Sequence, residues 1–339
     1  MNRQRQETIT FFSLLTFIAL LAGATASCDV PPFAPEMPTP AIVTAAAEDS
    51  PDPANAASSD TPHRFRFDVA LVDQGARELR SRILAQADRW ARIVDGTDLE
   101  DIEWGPGTIG CGGLQYDHQY DVLDDVFVMV SVHDFSGGPG TGVKTSVCGY
   151  RESSKLPLVG AIILDVEGVP QGQVDDLILH AFGHMLGFGR SWRGLGLLHD
   201  SSRDTPGADT HFEGERAIAA FVAAGGANHL GARVPVENDP NGGTMDDHWR
   251  ESVFGTELMS SGLRRGVADQ LSAITIQSLA DIGYTVDVEE ADGFVLPAAS
   301  NSSARAEGGW HAIDLSDDVV PGPAVFYDRH GNVVRVLRN

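Results

Sequence analysis

LILHAFGHMLGFG, running from Leu177 to Gly189, carries His180 and His184 four residues apart in an otherwise apolar stretch. On a helix that spacing sets both imidazoles on one face, where both reach a single metal ion. The same spacing occurs in the HExxH helix of zinc proteases, whose Glu after the first His acts as general base. Here that position is Ala181. The stretch therefore argues for metal binding more strongly than for turnover.

A zinc site needs a third protein ligand, and the compact metzincin pattern places it three residues past a helix-ending Gly. Gly187 can supply the turn, but the residue three further on is Arg190, which excludes the compact form. The candidates downstream are His199, His211, His229 and His248.

Upstream of the helix, FRFDVALVD (Phe65 to Asp73), VFVMVSV (Val126 to Val132) and LVGAIILDV (Leu158 to Val166) read as strands. Between the first two, Leu79, Ile83, Ala87, Trp90 and Val94 repeat at helical spacing, with Gly96 where a C-terminal cap belongs. Downstream, the chain is Gly-rich to about Asp247, interrupted by one helix with Ala217 and Phe221 on its face. Ser272 then caps a helix with Ile274, Leu279 and Ile282 inward and Gly283 as its stop. VFYDRHGNVVRVL reads as a terminal hairpin turning at Arg329 to Asn332.

The N-terminus has Arg3 and Arg5, then the apolar run FFSLLTFIALLAG, then small residues before Cys28. These are the parts of a secretory signal, and the run is too short for a comfortable membrane span. Ala26 and Ser27 before Cys28 resemble a lipobox, from which Thr25 departs, so a lipidated Cys28 and a plain signal peptide both stay open. Either way the mature chain is expected to be exported. Residues 29–63 are rich in Pro, Ala, Ser and Asp without an apolar period, the composition of a flexible tether. With Cys28 lipidated or removed, Cys111 and Cys148 remain as one pair in an oxidising compartment, which favours a disulfide over two buried thiols.

The chain has 339 residues, 42% of them hydrophobic, enough for one large or two small domains. Its balance of 24 Lys+Arg against 48 Asp+Glu, a net charge of −24, repels phosphate backbones and anionic lipid. Nucleic acid is thus excluded as a partner.

Around His248 the sequence reads GGTMDDHWRESVFGTELMSS, and 248 − 187 = 61 residues separate that His from Gly187. With ADRWARIVDG, CGYRESSKLPLVGAIILD, VPVEN and LSAITIQSLADIGYTVD, these stretches resemble the leishmanolysin family of zinc metalloendopeptidases, bacterial members above all. That family separates the Gly from the third His by a long insertion and follows a His-Trp with a Glu-Leu-Met turn.

The resemblance implies an α+β metzincin fold, with two subdomains flanking an active-site cleft. Residues 64–189 would form an α/β subdomain ending in the zinc helix, 190–290 a second with the third His and the Met-turn, and 291–339 a C-terminal tail. It implies one zinc per chain on His180, His184 and His248, and Met259 packed beneath the metal. The other histidines, at 63, 118, 133, 199, 211, 229, 311 and 330, gain no such support. LVGAIILDV would be the cleft edge that pairs with an extended peptide or protein substrate.

The chain departs from the family at Ala181, which removes the general base, a contribution of roughly 10²–10⁴-fold in rate. Glu251 and Glu257 are the carboxylates near enough in sequence to stand in. A natural pseudoprotease, a deliberate substitution and an isolated variant of an active enzyme are all compatible with Ala181. The expected product is a zinc-loaded, nearly silent endopeptidase. The alternative is a non-catalytic surface protein that binds peptide or glycoprotein in the same cleft, attached to a membrane if Cys28 is lipidated. Residues 29–63 hold no Cys, so a thiol that blocks the metal, as in the pro-segment of leishmanolysin, is not expected.

Overall fold

The unbroken apolar run VFVMVSV becomes a strand buried on both faces. Val126, Val128 and Val130 enter one hydrophobic core, while Phe127 and Met129 enter another on the opposite side of the sheet. A strand covered on both faces has no reason to alternate apolar with polar residues. A computed structural model describes residues 64–96, 99–135, 142–228, 233–239, 246–264, 266–297 and 311–338. All of these belong to one compact unit, Pro40–Asn339. The signal and lipobox segment 1–28 with Cys28, the tether 29–63 with His63, and His229 lie outside the described residues.

The main sheet has six strands, labelled in chain order β1 (Phe67–Leu71), β2 (Val126–Val132), β3 (Val143–Arg151), β4 (Pro157–Leu164), β5 (Ala324–Tyr327) and β6 (Val333–Leu337). Their spatial order is β1-β2-β4-β3-β5-β6. β1, β2 and β4 are mutually parallel, β3 runs antiparallel to β4, and β5 lies parallel to β3. The longer helices are α1 (Gln74–Glu78), α2 (Arg80–Ile93), α3 (Val174–Met185), α4 (Glu215–Ala223) and α5 (Ala273–Ile282). This mixture of sheet and helix agrees with the α+β expectation.

Several expectations need correcting. The helical run read from Leu79 is one helix, α2, and a separate short helix precedes it: Asp73 caps α1 by accepting from the Ala76 amide at 2.8 Å, and the chain leaves helical register at Leu79 before α2 begins. α2 stops at Ile93, not at Gly96, since Val94 and Asp95 pair with Val286 and Thr285 as a short ladder. LVGAIILDV is not a cleft edge, because β4 lies between β2 and β3 and both its edges are hydrogen-bonded. The strand that flanks it is β3, VKTSVCGYR, whose apolar alternation in Val143, Thr145 and Val147 was passed over in the sequence. The C-terminal residues form the expected hairpin, β5 with β6, but they are no detached tail: β5 extends the main sheet through β3.

α3 is apolar nearly all round, and every residue from Leu177 to Met185 is buried. A helix of that kind sits in the middle of a core. Trp90 of α2 packs on it and donates its indole N–H to the Leu179 carbonyl at 2.9 Å. Asp175 and Asp176 lie in its first turn, where carboxylates oppose the positive end of the helix dipole. α5 begins as read from the sequence, with the Ser272 hydroxyl accepting from the Thr275 amide and Gly283 at φ +122 closing the far end. Cys111 and Cys148 stand at disulfide distance, their Cα atoms 5.7 Å apart.

Candidate metal centre

Three features of the chain deliver the third histidine to α3. Gly187, at φ +96, turns the backbone out of the helix. Gly189, at φ +75, then lets Asp247 approach so closely that a Cβ on Gly189 would lie 2.3 Å from the Asp247 carbonyl oxygen. Only glycine tolerates both that backbone conformation and that contact. The neighbouring residue, His248, is fixed through its backbone, whose carbonyl accepts from the Glu237 amide at 2.8 Å, while Trp249 donates to the Met259 carbonyl at 3.0 Å.

The imidazoles converge. His180 Nε2 and His184 Nε2 are 3.0 Å apart, His184 and His248 Nε2 3.2 Å, and His248 and His180 Nε2 3.3 Å. Beside them sits a carboxylate: Asp318 Oδ2 lies 2.9 Å from His180 Nε2 and 3.4 Å from His184 Nε2, and its Oδ1 lies 3.3 Å from His248 Nε2. All four side chains are 0–1% exposed. Four donors at the usual zinc bond lengths of about 2.0–2.1 Å stand roughly 3.3–3.4 Å from one another in a tetrahedron. The observed separations are of that size.

The outer hydrogen bonds decide which nitrogen faces inward. His180 Nδ1 donates to the Leu258 carbonyl at 2.7 Å and His184 Nδ1 to the Phe188 carbonyl at 3.1 Å. Each imidazole then presents an Nε2 lone pair to the centre, the usual tautomer of a metal ligand. Lone pairs crowded in a buried site repel unless a cation lies among them. Burial pushes His180 down to about 4, against the pull of Asp318, so it is neutral near pH 7. Burial also opposes the charge on Asp318, yet the imidazoles, His248 foremost, hold its pKa well below the ordinary carboxylate range. Asp318 Oδ1 has no hydrogen-bond partner among the described residues, which a cation would remedy. The residues thus fit a metal ion held by three nitrogens and one carboxylate.

Met259 is fully buried, and a Cβ placed on Gly183 would meet its Sδ at 2.8 Å. It therefore packs against α3 at Gly183, which lies between the two histidines in sequence. Ala181 is buried with no ionisable group of its own. Both carboxylates near the third ligand in sequence are engaged with other groups. Glu251 is paired with Arg264 at 2.7 Å. Glu257 accepts from Ser272 Oγ at 2.7 Å, Thr275 Oγ1 at 2.5 Å and the Met259 amide at 2.7 Å, pinning the Met259 turn to the start of α5. Burial pushes its pKa up to about 7 in spite of those donors.

Of the downstream candidates for third ligand among the described residues, only His248 reaches the centre. His199 and His211 stack on each other with ring centroids 5.8 Å apart, and His211 Nε2 pairs with Glu213 at 2.9 Å. His118 contacts the Tyr120 amide, His133 the Ser131 hydroxyl, and His330 Glu103. Asp318 was not anticipated. It lies 318 − 248 = 70 residues beyond the third His, in SDDVV, a stretch with no ligand motif. The only signal is a pair of acids, Asp317 and Asp318, followed by two valines and the hairpin.

No family model and no curated protein matches the chain. The chemistry must therefore be read from the site itself.

Proposed function

We propose that this chain is an exported zinc protein on a metzincin scaffold, a metalloendopeptidase of the leishmanolysin type by descent whose hydrolysis of internal peptide bonds is silenced. The observation that carries the reading is the convergence of the three Nε2 atoms of His180, His184 and His248 within 3.3 Å of one another, with two of the rings held in the ligating tautomer by backbone carbonyls. Nitrogen ligands with one carboxylate favour zinc over the hard cations, which prefer oxygen. Export rests on the basic start, apolar run and small residues of the first 28 positions.

His180, His184 and His248 would hold a zinc ion, and the chemistry it would supply there is that of a Lewis acid toward a scissile carbonyl. The chain's own groups supply little beyond that. At position 181 a methyl group stands where a carboxylate would take the proton of the attacking water. Asp318 fills the fourth corner of the donor set, where an open position is the mark of a catalytic zinc and a closed one of a structural zinc. Those two residues favour a second reading as well, in which the cleft binds extended peptide without cutting it.

Purified full-length protein, alone and as His248→Ala, should be assayed for zinc and for cleavage of denatured casein. The reading expects about one zinc per native chain, a sharp loss in the variant, and negligible cleavage. Full zinc retention by His248→Ala would overturn the ligand set. Rapid, chelator-sensitive cleavage by the native chain would overturn the silencing.

A further inference from the structure

Asp318 reaches the centre on a segment that bridges two parts of the fold. On one side Ile313 pairs with Leu263 in a short antiparallel ladder, and the Leu315 amide donates to the Ser261 carbonyl at 2.9 Å, next to the Met259 turn. On the other side the segment lies along β3. Thr145 donates its amide to the Asp318 carbonyl at 2.6 Å, and its own carbonyl accepts from the Val320 amide at 2.8 Å. Lys144 Nζ pairs with the Asp317 carboxylate at 2.7 Å. Further along, Val325, Phe326 and Tyr327 pair in parallel with Gly149, Tyr150 and Arg151. Without residues 318–327, β3 would be a free sheet edge running beside the metal helix.

An extended chain added to a sheet edge, held by main-chain hydrogen bonds and specified by a few side chains, is how many proteins take peptides. Here the chain does so to itself, with Asp317 on Lys144 and Asp318 on the histidines. We propose that residues 315–327 are a built-in inhibitory peptide, and that the groove they fill, between β3 and the metal, is a binding site for an extended acidic peptide. The ligand class is a segment running parallel to β3 with two consecutive acidic residues, the first for Lys144 and the second for the metal. The proposal rests on the metal reading above. It adds a reason why the fourth donor comes from a part of the chain so remote in sequence: the ligand is carried on a separate strap, whose release would expose Leu315 and Phe326 from the shared core but leave α3 in place. Regulation would then consist of pulling the strap off the edge, by a competing peptide or by a cut in it.

The test uses the full-length chain and a synthetic peptide of residues 312–327 carrying a fluorophore. Three proteins are compared: native, Asp318→Ala, and Asp318→Ala combined with Val320→Pro, which deletes the amide that bonds to Thr145. Each is loaded with cobalt, whose visible absorption reports the donors, and zinc content is measured on a parallel sample. The proposal expects the native chain to ignore the peptide. The double variant should bind it, at least about 10-fold more tightly than it binds a peptide with Asn in place of Asp318, and binding should return the cobalt absorption toward the native band. A double variant that keeps its metal and its melting transition but does not bind, or a native chain that binds equally well, overturns the proposal.

Hydrogen exchange on the unaltered protein gives a second decision that needs no variant. Amides of residues 315–327 should exchange at least about 10-fold faster than those of β2 and β4, since a strap that opens must do so while the core stays closed. Equal protection would make the segment part of the core and overturn the proposal. Absence of bound metal from native protein would overturn the metal reading itself, a result distinct from either of these.

Discussion

Restoring a carboxylate at position 181 separates the two obstacles to catalysis. General acid and base action contributes roughly 10²–10⁴-fold, or about 3–5 kcal/mol of barrier, so Ala181→Glu would be expected to recover much of it if the missing Glu were the only defect. On the proposed reading it is not, because Asp318 is a second obstacle. Asp318 oxygens lie 2.9 to 3.4 Å from all three Nε2 atoms, so the carboxylate would take the corner that a metal-bound water needs. A carboxylate added at position 181 would also be buried, in a core where Asp318 already carries a like charge, and a buried unpaired charge is costly. Ala181→Glu alone should therefore gain less than about 10-fold in cleavage of denatured casein and should melt earlier than the native protein. Ala181→Glu with Asp318→Ala should gain roughly 10²-fold or more and recover part of the lost stability. Zinc content, measured on the same samples, guards against loss of the metal. A single variant as fast as the double would refute the claim that Asp318 closes the site, and a zinc-loaded double variant with no gain would show that the cleft no longer accepts substrate.

Other consequences can be checked independently. Non-reducing peptide mapping should find Cys111 joined to Cys148, and replacing both by Ser should cost roughly 2–4 kcal/mol in urea denaturation; two free thiols in protein recovered from an oxidising compartment would contradict this. Gly189→Ala should destabilise by at least about 2 kcal/mol and weaken zinc binding, because its Cβ would lie 2.3 Å from the Asp247 carbonyl oxygen at φ +75, whereas Gly194→Ala, nearest atom 3.7 Å away, should be close to neutral. Burial, then the carboxylates of Asp176, Glu251 and Glu257, raise Asp269 to about 8 from its ordinary 3.8. A raised carboxyl pKa means that the native state keeps a proton the unfolded chain has already released. Its contribution to stability is therefore complete below about pH 4 and is lost as pH climbs through about 8, at no more than about 1.4 kcal/mol per pH unit. Asp269→Asn should flatten that slope, and an unchanged slope would show that Asp269 ionises normally.

Legibility in the sequence followed the range of the interactions. His180 and His184 could be read because both lie on one helical turn, and Ser272 and Gly283 because caps are local chemistry. Trp90 and Ala87 were legible for the same reason. His248 could be singled out only through the resemblance of the stretch around it, since Gly189 against Asp247 is a contact across 58 residues by numbering (247 − 189). Asp318 was not legible at all. Its role depends on residues 318–320 bonding to Thr145, a pairing between segments 173 residues apart, and nothing in SDDVV announces it. The edge assignment failed similarly: β4 looks the same in sequence whether or not β3 covers it, and β3 in turn is covered by residues from the far end of the chain.

X-ray absorption at the zinc edge of the native full-length protein, with metal analysis of the same sample, tests the central claim most directly. The account predicts about one zinc per chain with four donors, three imidazole nitrogens and one carboxylate oxygen at about 2.0–2.2 Å, and in Asp318→Ala a lighter exchangeable oxygen donor in place of the carboxylate. Protein that binds no zinc, or native zinc with three imidazoles and an exchangeable water while Asp318 stands off, would contradict it.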